Sequence, residues 1–158
     1  MSRSPRRNCG GEFVFFGAVL GMLTVSKIGR YTMNETTFYI CPMCGNIAVK
    51  LEDAGIPLLC CGQAMDEMPM NPQDVSVEKH KPVLERLGDV LTVKLGEQEH
   101  PMTHEHAIRW VWLDSGGDAQ FKRLSPDSPR ELKFYLDNDA PVTVYAYCNL
   151  HGLWKSEL

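Results

Sequence analysis

The residues best suited to chemistry are a cysteine and a histidine three positions apart near the end of this 158-residue chain. Cys148 and His151 follow an alternating, strand-like run, and a Cys-x-x-His turn can direct a sulfur and a nitrogen at one metal ion. Three histidines upstream can complete the coordination sphere, namely His80, His100 and His106. Iron, copper and zinc all accept imidazole and thiolate ligands, so these residue types leave the metal open.

The number of histidines narrows the chemistry. Blue copper sites use two imidazoles, one thiolate and a weak axial ligand, whereas this chain has five histidines spread over its second half. Four imidazoles around a plane with one axial thiolate would leave a sixth position open on iron, and an open position indicates catalysis. His104 lies two positions before His106, so in an extended segment their side chains point to opposite faces. We expect His106 to be the ligand and His104 to be solvated.

A second group of four cysteines predicts a separate metal site. The pattern is Cys-x-x-Cys followed by an adjacent pair, at Cys41, Cys44, Cys60 and Cys61. Four thiolates suit tetrahedral iron or zinc, and the adjacent pair must bend the chain sharply to present both sulfurs to one ion. About thirty residues bury too little apolar surface to fold unaided, which favours a metal over a redox dithiol. This usage of cysteine indicates a reducing, cytoplasmic location.

Charge and chain order limit the remaining possibilities. The net charge of −4 comes with no basic stripe, which argues against nucleic acid as a partner. In residues 1–33 three arginines precede an apolar run, but that run is too short for a confident membrane span. We predict an extension outside the working fold, produced by a start codon assigned upstream of Met33, with a membrane-targeting segment as the alternative.

The remaining sequence predicts an all-β protein. Residues 34–66 form a small metal module, residues 67–77 form a proline-punctuated linker, and residues 78–158 form a larger domain. Short strands separated by Gly and Pro turns predict an antiparallel β-sandwich for that domain. The strands are expected at 36–40, 48–51, 90–95, 107–113, 120–124, 131–136 and 142–148.

These motifs resemble those of a known family. The segments Phe38–Asn46 and Cys60–Gly62 are similar to the N-terminal desulforedoxin-like, rubredoxin-related module of desulfoferrodoxin. Four further segments resemble the superoxide reductase domain of the same family. They are Glu78–His80, His100–Met102, His106–Trp110 and Tyr147–Gly152. The resemblance covers residues 36–158 and includes every expected ligand.

The resemblance implies two iron centres on an immunoglobulin-like sandwich in a homodimer. One iron would be held by Cys41, Cys44, Cys60 and Cys61; the other would have His80, His100, His106 and His151 as equatorial ligands and Cys148 as axial ligand. It further implies reduction of superoxide to hydrogen peroxide with electrons from rubredoxin or a similar carrier.

Two residues beside the first histidine have expected roles in this chemistry. Superoxide is an anion and the chain is acidic, so its approach needs a local positive field, for which Lys79 is the candidate. The resemblance gives Glu78 a role in displacing product. Backbone NH groups from Asn149 onward are expected to tune the thiolate of Cys148. Two rival functions are a non-catalytic iron electron-transfer protein and a zinc-binding structural module.

Overall fold

The computed structural model of the chain describes residues 35–73 and 76–158, so the predicted extension at residues 1–33 lies outside the described residues. Apart from one four-residue helix, the regular elements of the described part are short antiparallel strands. In chain order the elements are β1 (Phe38–Ile40), β2 (Ile47–Val49), β3 (Leu59–Cys60), β4 (Gln63–Ala64), β5 (Asp66–Glu67), α1 (Val77–His80), β6 (Val83–Leu87), β7 (Val90–Lys94), β8 (Ile108–Ser115), β9 (Asp118–Arg123), β10 (Glu131–Tyr135), β11 (Val142–Cys148) and β12 (Gly152–Glu157).

The first five strands form the cysteine module. Strand β1 pairs on either side with β2 and β5, and β3 pairs with β4 in a separate hairpin. Each of these strands is only two or three residues long. So few ladder hydrogen bonds give little independent stability, since even an isolated two-stranded hairpin is marginal in water.

The last seven strands form the sandwich. One sheet has the order β10-β7-β6 and the other has the order β12-β11-β8-β9, with antiparallel pairing throughout. Alternate side chains of each strand face the space between the sheets, as the period of two requires. Fully buried residues from both sheets fill that space, including Leu91, Val93, Val111, Leu113 and Val144. The predicted all-β fold class is confirmed.

Two strands of the sandwich were not expected from the sequence. Strand β6 lies at an edge of its sheet and includes the charged residues Glu85 and Arg86. Strand β12 begins directly after the Cys-x-x-His turn, at Gly152. Strand β11 has the predicted bounds, and the other strands predicted in the larger domain were found with ends displaced by up to two residues.

An apolar cluster joins the module to the sandwich. Phe38 of β1 is only 3% exposed, and its ring lies 5.1 Å from the rings of both Trp110 and Tyr145. Met68, in the segment predicted as a linker, is buried in the same cluster, and its amide donates to the carbonyl of Phe38. Among the described residues, no helix has the length and apolar content needed to cross a bilayer.

Candidate metal centres

Five side chains from three parts of the sandwich meet at one point: the end of α1, the connection between β7 and β8, and the turn between β11 and β12. His80 ends α1, His100 follows the turn after β7, His106 precedes β8, Cys148 ends β11 and His151 lies in the turn before β12. One ligand atom from each of the five lies within 4.8 Å of the others. The five side chains that the sequence predicts as ligands of one metal ion therefore lie at one location in the fold.

The separations between donor atoms are those of ligands around a single ion. The Nδ1 atom of His151 is 2.7 Å from Nε2 of His80, 3.2 Å from Nε2 of His106 and 3.6 Å from Sγ of Cys148. A metal–nitrogen bond of about 2.0–2.1 Å places neighbouring ligand atoms about 3 Å apart. The protein thus offers a compact set of nitrogen and sulfur donors.

Backbone carbonyls fix which nitrogen of each buried ring faces this point. Nδ1 of His80 lies 2.7 Å from the carbonyl oxygen of Ser76, and Nδ1 of His100 contacts the carbonyl oxygen of Pro101. A carbonyl only accepts, so each Nδ1 carries the proton and each Nε2 presents its lone pair. Nε2 of His100 is buried without a hydrogen-bond partner among the described residues. An unsatisfied buried nitrogen is costly, and a bound metal ion would satisfy it.

Burial also tunes the protonation of these groups. It lowers the pKa of His80, and it lowers the pKa of His100 to about 4, so that both rings are neutral and able to bind a metal at neutral pH. Burial raises the pKa of the Cys148 thiol, while hydrogen bonds from the backbone of Leu150 and His151 oppose that rise. The expected NH donors to sulfur therefore begin one residue later than Asn149.

The amide of Asn149 has a different role that sequence reasoning missed. Its backbone NH donates to the carbonyl of Ala107 at 3.2 Å. Its side-chain oxygen accepts from the NH of Ala107 at 2.8 Å, and its side-chain nitrogen donates to the carbonyl of Glu105 at 2.6 Å. Asn149 therefore brackets His106 and ties that segment to the turn of Cys148 and His151.

Trp154 is a second residue that sequence reasoning missed. Its ring is 1% exposed and stacks on the ring of His80, with centroids 5.0 Å apart and planes 18° from parallel. This stacking contact limits rotation of the His80 ring. For both Asn149 and Trp154 the only signal in the sequence was a position in or close to the Cys-x-x-His turn. Such a position does not specify a role.

The charged residues predicted to assist catalysis lie beside His80. Glu78 is exposed and Lys79 is half-buried, and both belong to α1. His104 is exposed and is absent from the donor group, although its carbonyl accepts a hydrogen bond from Arg109. The structure thus brings His106, and not His104, to the other donors.

The four cysteines of the module also converge. Their sulfur atoms lie within 4.8 Å of one another, with Cys44 and Cys60 separated by 3.6 Å and Cys60 and Cys61 by 3.9 Å. Cys61 has a φ of 52°, in the left-handed region that non-glycine residues rarely adopt. This conformation supplies the sharp bend that the adjacent pair requires.

Two thiols of this group, Cys41 and Cys61, differ in pKa. A hydrogen bond from the backbone of Cys44 lowers the pKa of Cys41 to about 7. Contacts with the side chains of Cys44 and Cys60 raise the pKa of Cys61 to about 12. Crowded sulfurs resist losing all their protons without a cation among them, so the donor set fits a bound metal ion.

A small four-cysteine module attached to an antiparallel sandwich with a four-histidine, one-cysteine group defines a metalloprotein with two centres. Two family models match the chain, "Desulfoferrodoxin, N-terminal domain" at residues 33–68 and "Desulfoferrodoxin" at residues 72–157. The chain belongs to the desulfoferrodoxin family. The family and the two donor sets together assign iron to both centres.

Individual relatives agree with membership of this family. The chain is 43% identical to a desulfoferrodoxin of Syntrophotalea carbinolica over 119 residues, which are 75% of this chain and 94% of the relative. It is 40% identical over 118 residues to a desulfoferrodoxin homolog of Archaeoglobus fulgidus, with 75% and 94% covered. The crystal structure of the superoxide reductase from Treponema pallidum is similar with a TM-score of 0.63 and 34% identity, and covers 77% of this chain and 97% of its own.

Proposed function

We propose that the chain is a superoxide reductase, in which superoxide takes up one electron and two protons and becomes hydrogen peroxide. The observation that carries this proposal is the convergence of one sulfur and four imidazole nitrogens from three parts of the sandwich. A relative and a solved structure that bear the name superoxide reductase support the same reaction. Iron bound by these donors would supply the electron.

We assign the metal ligands as the two converging groups. His80, His100, His106, His151 and Cys148 would hold the iron that reacts, and Cys41, Cys44, Cys60 and Cys61 would hold the second iron. The neutral rings of His80 and His100, each fixed by a backbone carbonyl, present their Nε2 lone pairs without a cost of deprotonation. This set of ligands supports electron donation to superoxide from the iron of the histidine–cysteine group.

Lys79 and Glu78 are the proposed catalytic residues of the chain itself. A net charge of −4 repels superoxide, so an ammonium group next to His80 has a clear use in attracting the anion. Lys79 would donate a hydrogen bond to a superoxide oxygen and, with water, supply protons to the product. The exposed carboxylate of Glu78, on the same turn, would favour release of the neutral peroxide.

The wider setting is part of the proposal. The chain would act in the cytoplasm as a homodimer that detoxifies superoxide, with electrons delivered by rubredoxin or a similar carrier. None of the five cysteines among the described residues is in a disulfide, as a reducing compartment favours. Residues 34–66 and 78–158 would be two domains joined by residues 67–77, which the separate matches at 33–68 and 72–157 support.

Pulse radiolysis of the reduced, iron-loaded protein tests the reaction. We expect second-order consumption of superoxide with hydrogen peroxide formed and no oxygen released. Protein loaded with zinc is the control, because zinc has no accessible redox change. Equal yields of oxygen and peroxide would indicate dismutation instead. An iron that neither consumes superoxide nor responds to azide would favour the electron-transfer rival.

A further inference from the structure

A single glycine lies where two ligand-bearing segments meet. Gly96 begins the turn that follows β7 and leads to His100, and its φ is 80°. Two residues later, the NH of Gln98 donates to the carbonyl of Glu78 at 2.8 Å. The turn before His100 therefore lies directly against α1, and the rings of His80 and His100 are 4.6 Å apart.

The contact at Gly96 leaves no room for a side chain. A Cβ atom at this position would lie 2.5 Å from the carbonyl oxygen of Lys79, 2.6 Å from its carbonyl carbon and 2.9 Å from the carbonyl oxygen of Glu78. These are backbone atoms rather than the ends of flexible side chains. Restoring ordinary contacts of about 3.5 Å would move α1 and the turn apart by about 1 Å.

We propose that Gly96 is a positioning residue. It lets the Glu78–Lys79 backbone pack directly against the turn after β7, and it thereby sets the distance between His80 and His100. The proposal rests on the proposed function, since it concerns the same site. It assigns a part in the reaction to a residue whose only contribution is the absence of a side chain. The close contact with Gly96 fixes the backbone of Lys79, and therefore the point beside His80 from which the Lys79 side chain extends.

The chain offers a matched control at the other end of β7. Gly88 lies in the two-residue loop between β6 and β7 and has a φ of 61°. A Cβ atom there would have no heavy atom within 4 Å beyond its chain neighbours. Gly88→Ala therefore carries the torsional cost of a positive φ without the backbone collision, and the pair of variants isolates the collision.

The experiment compares iron-loaded wild type, Gly96→Ala and Gly88→Ala. Four measurements are made: superoxide consumption by pulse radiolysis, its dependence on ionic strength, the thiolate-to-iron absorption band, and hydrogen exchange of the Gln98 amide. For Gly96→Ala we expect a rate lower on the order of 10²-fold, because a displacement of about 1 Å can have that effect. We also expect a weaker salt dependence, a shifted absorption band and faster exchange at Gln98. Gly88→Ala should match wild type in all four.

The outcomes separate this proposal from the function on which it rests. Equal rates and equal Gln98 exchange in the two alanine variants would overturn it. Asparagine tolerates positive φ better than alanine, so Gly96→Asn and Gly88→Asn form a second pair if Gly96→Ala does not fold. Should both Gly96 variants stay unfolded while both Gly88 variants fold, Gly96 serves the whole domain and the local role is wrong. If wild type fails to consume superoxide, the proposed function is wrong, and exchange and absorption alone decide the role of Gly96.

Discussion

The two metal centres differ in how much of the fold surrounds them. The histidine–cysteine group is built on strands of up to eight residues, and His80, His100 and Cys148 are buried. The cysteine group is carried by strands of two or three residues, and Cys44 and Cys61 are exposed. The core of the sandwich positions the ligands of the histidine–cysteine group. In the cysteine module, by contrast, the ligands themselves contribute much of the stability of the structure that carries them.

This difference separates two uses of a metal. A sandwich with a filled core keeps its donors in place before any ion binds, so the ion can be used for chemistry. A module with little core gains most of its folding free energy from the ion itself. The comparison therefore predicts that the two regions respond differently to loss of metal and to loss of packing.

Removal of metal by a chelator should have the largest effect. Structural metal sites in small modules supply on the order of 10 kcal/mol of folding free energy, so the module should lose its structure while the sandwich remains folded. Hydrogen exchange measures this: the NH of Cys41 and Gly45 should lose protection, and those of Leu95 and Val142 should keep it. Retained protection at Cys41 and Gly45 would show that the module is stable without metal.

Substitution of the buried thiolate should remove the properties of one centre only. In Cys148→Ser we expect complete loss of the thiolate-to-iron absorption of the histidine–cysteine centre and a rate reduced by more than about 100-fold, since even indirect ligand partners are worth 10–100-fold. The absorption of the four-cysteine centre should be unchanged. Cys61→Ser is the matched control, with the reverse pattern of spectral change. Survival of the first band in Cys148→Ser would exclude Cys148 as a ligand.

Loss of packing between the regions should have a smaller, local effect. Phe38→Ala removes a ring buried against Trp110 and Tyr145, and we expect a cost of about 3–5 kcal/mol in unfolding free energy. Phe121→Ala is the control, because Phe121 also approaches Trp110, at 6.2 Å, but is 50% exposed. Denaturant unfolding of iron-loaded protein measures both. Equal costs would mean that Phe38 does not anchor the module.

The donors could be predicted from sequence because metal ligation depends on residue type and spacing. The strands that alternate between core and solvent were predicted for the same kind of reason, as in β11, where Val142, Val144 and Ala146 face the core. Strand β12 carries no such alternation. Leu153 and Trp154 are consecutive and both buried, since Leu153 packs in the cluster with Phe38 while Trp154 covers His80.

The parts that were missed depend on contacts between distant segments. Strand β6 is an edge strand whose Arg86 reaches across to the carbonyl of Asn138 and the carboxylate of Asp139, so its sequence shows no apolar face. The collision expected at Gly96 arises only because α1 lies against it. A lone glycine or arginine in the sequence gives no indication of its partner.

We expect the smallest effect from removing the positive charge of Lys79 beside the histidine–cysteine centre. The buried core provides no such charge. Lys79→Ala should slow superoxide consumption about tenfold and weaken its dependence on salt, because the local attraction for the anion is lost. Lys81→Ala removes the same charge from an exposed residue on the other side of His80 and serves as the control. Pulse radiolysis at several ionic strengths measures both variants. If the two behave alike, the overall charge of the surface attracts superoxide, and Lys79 has no particular role.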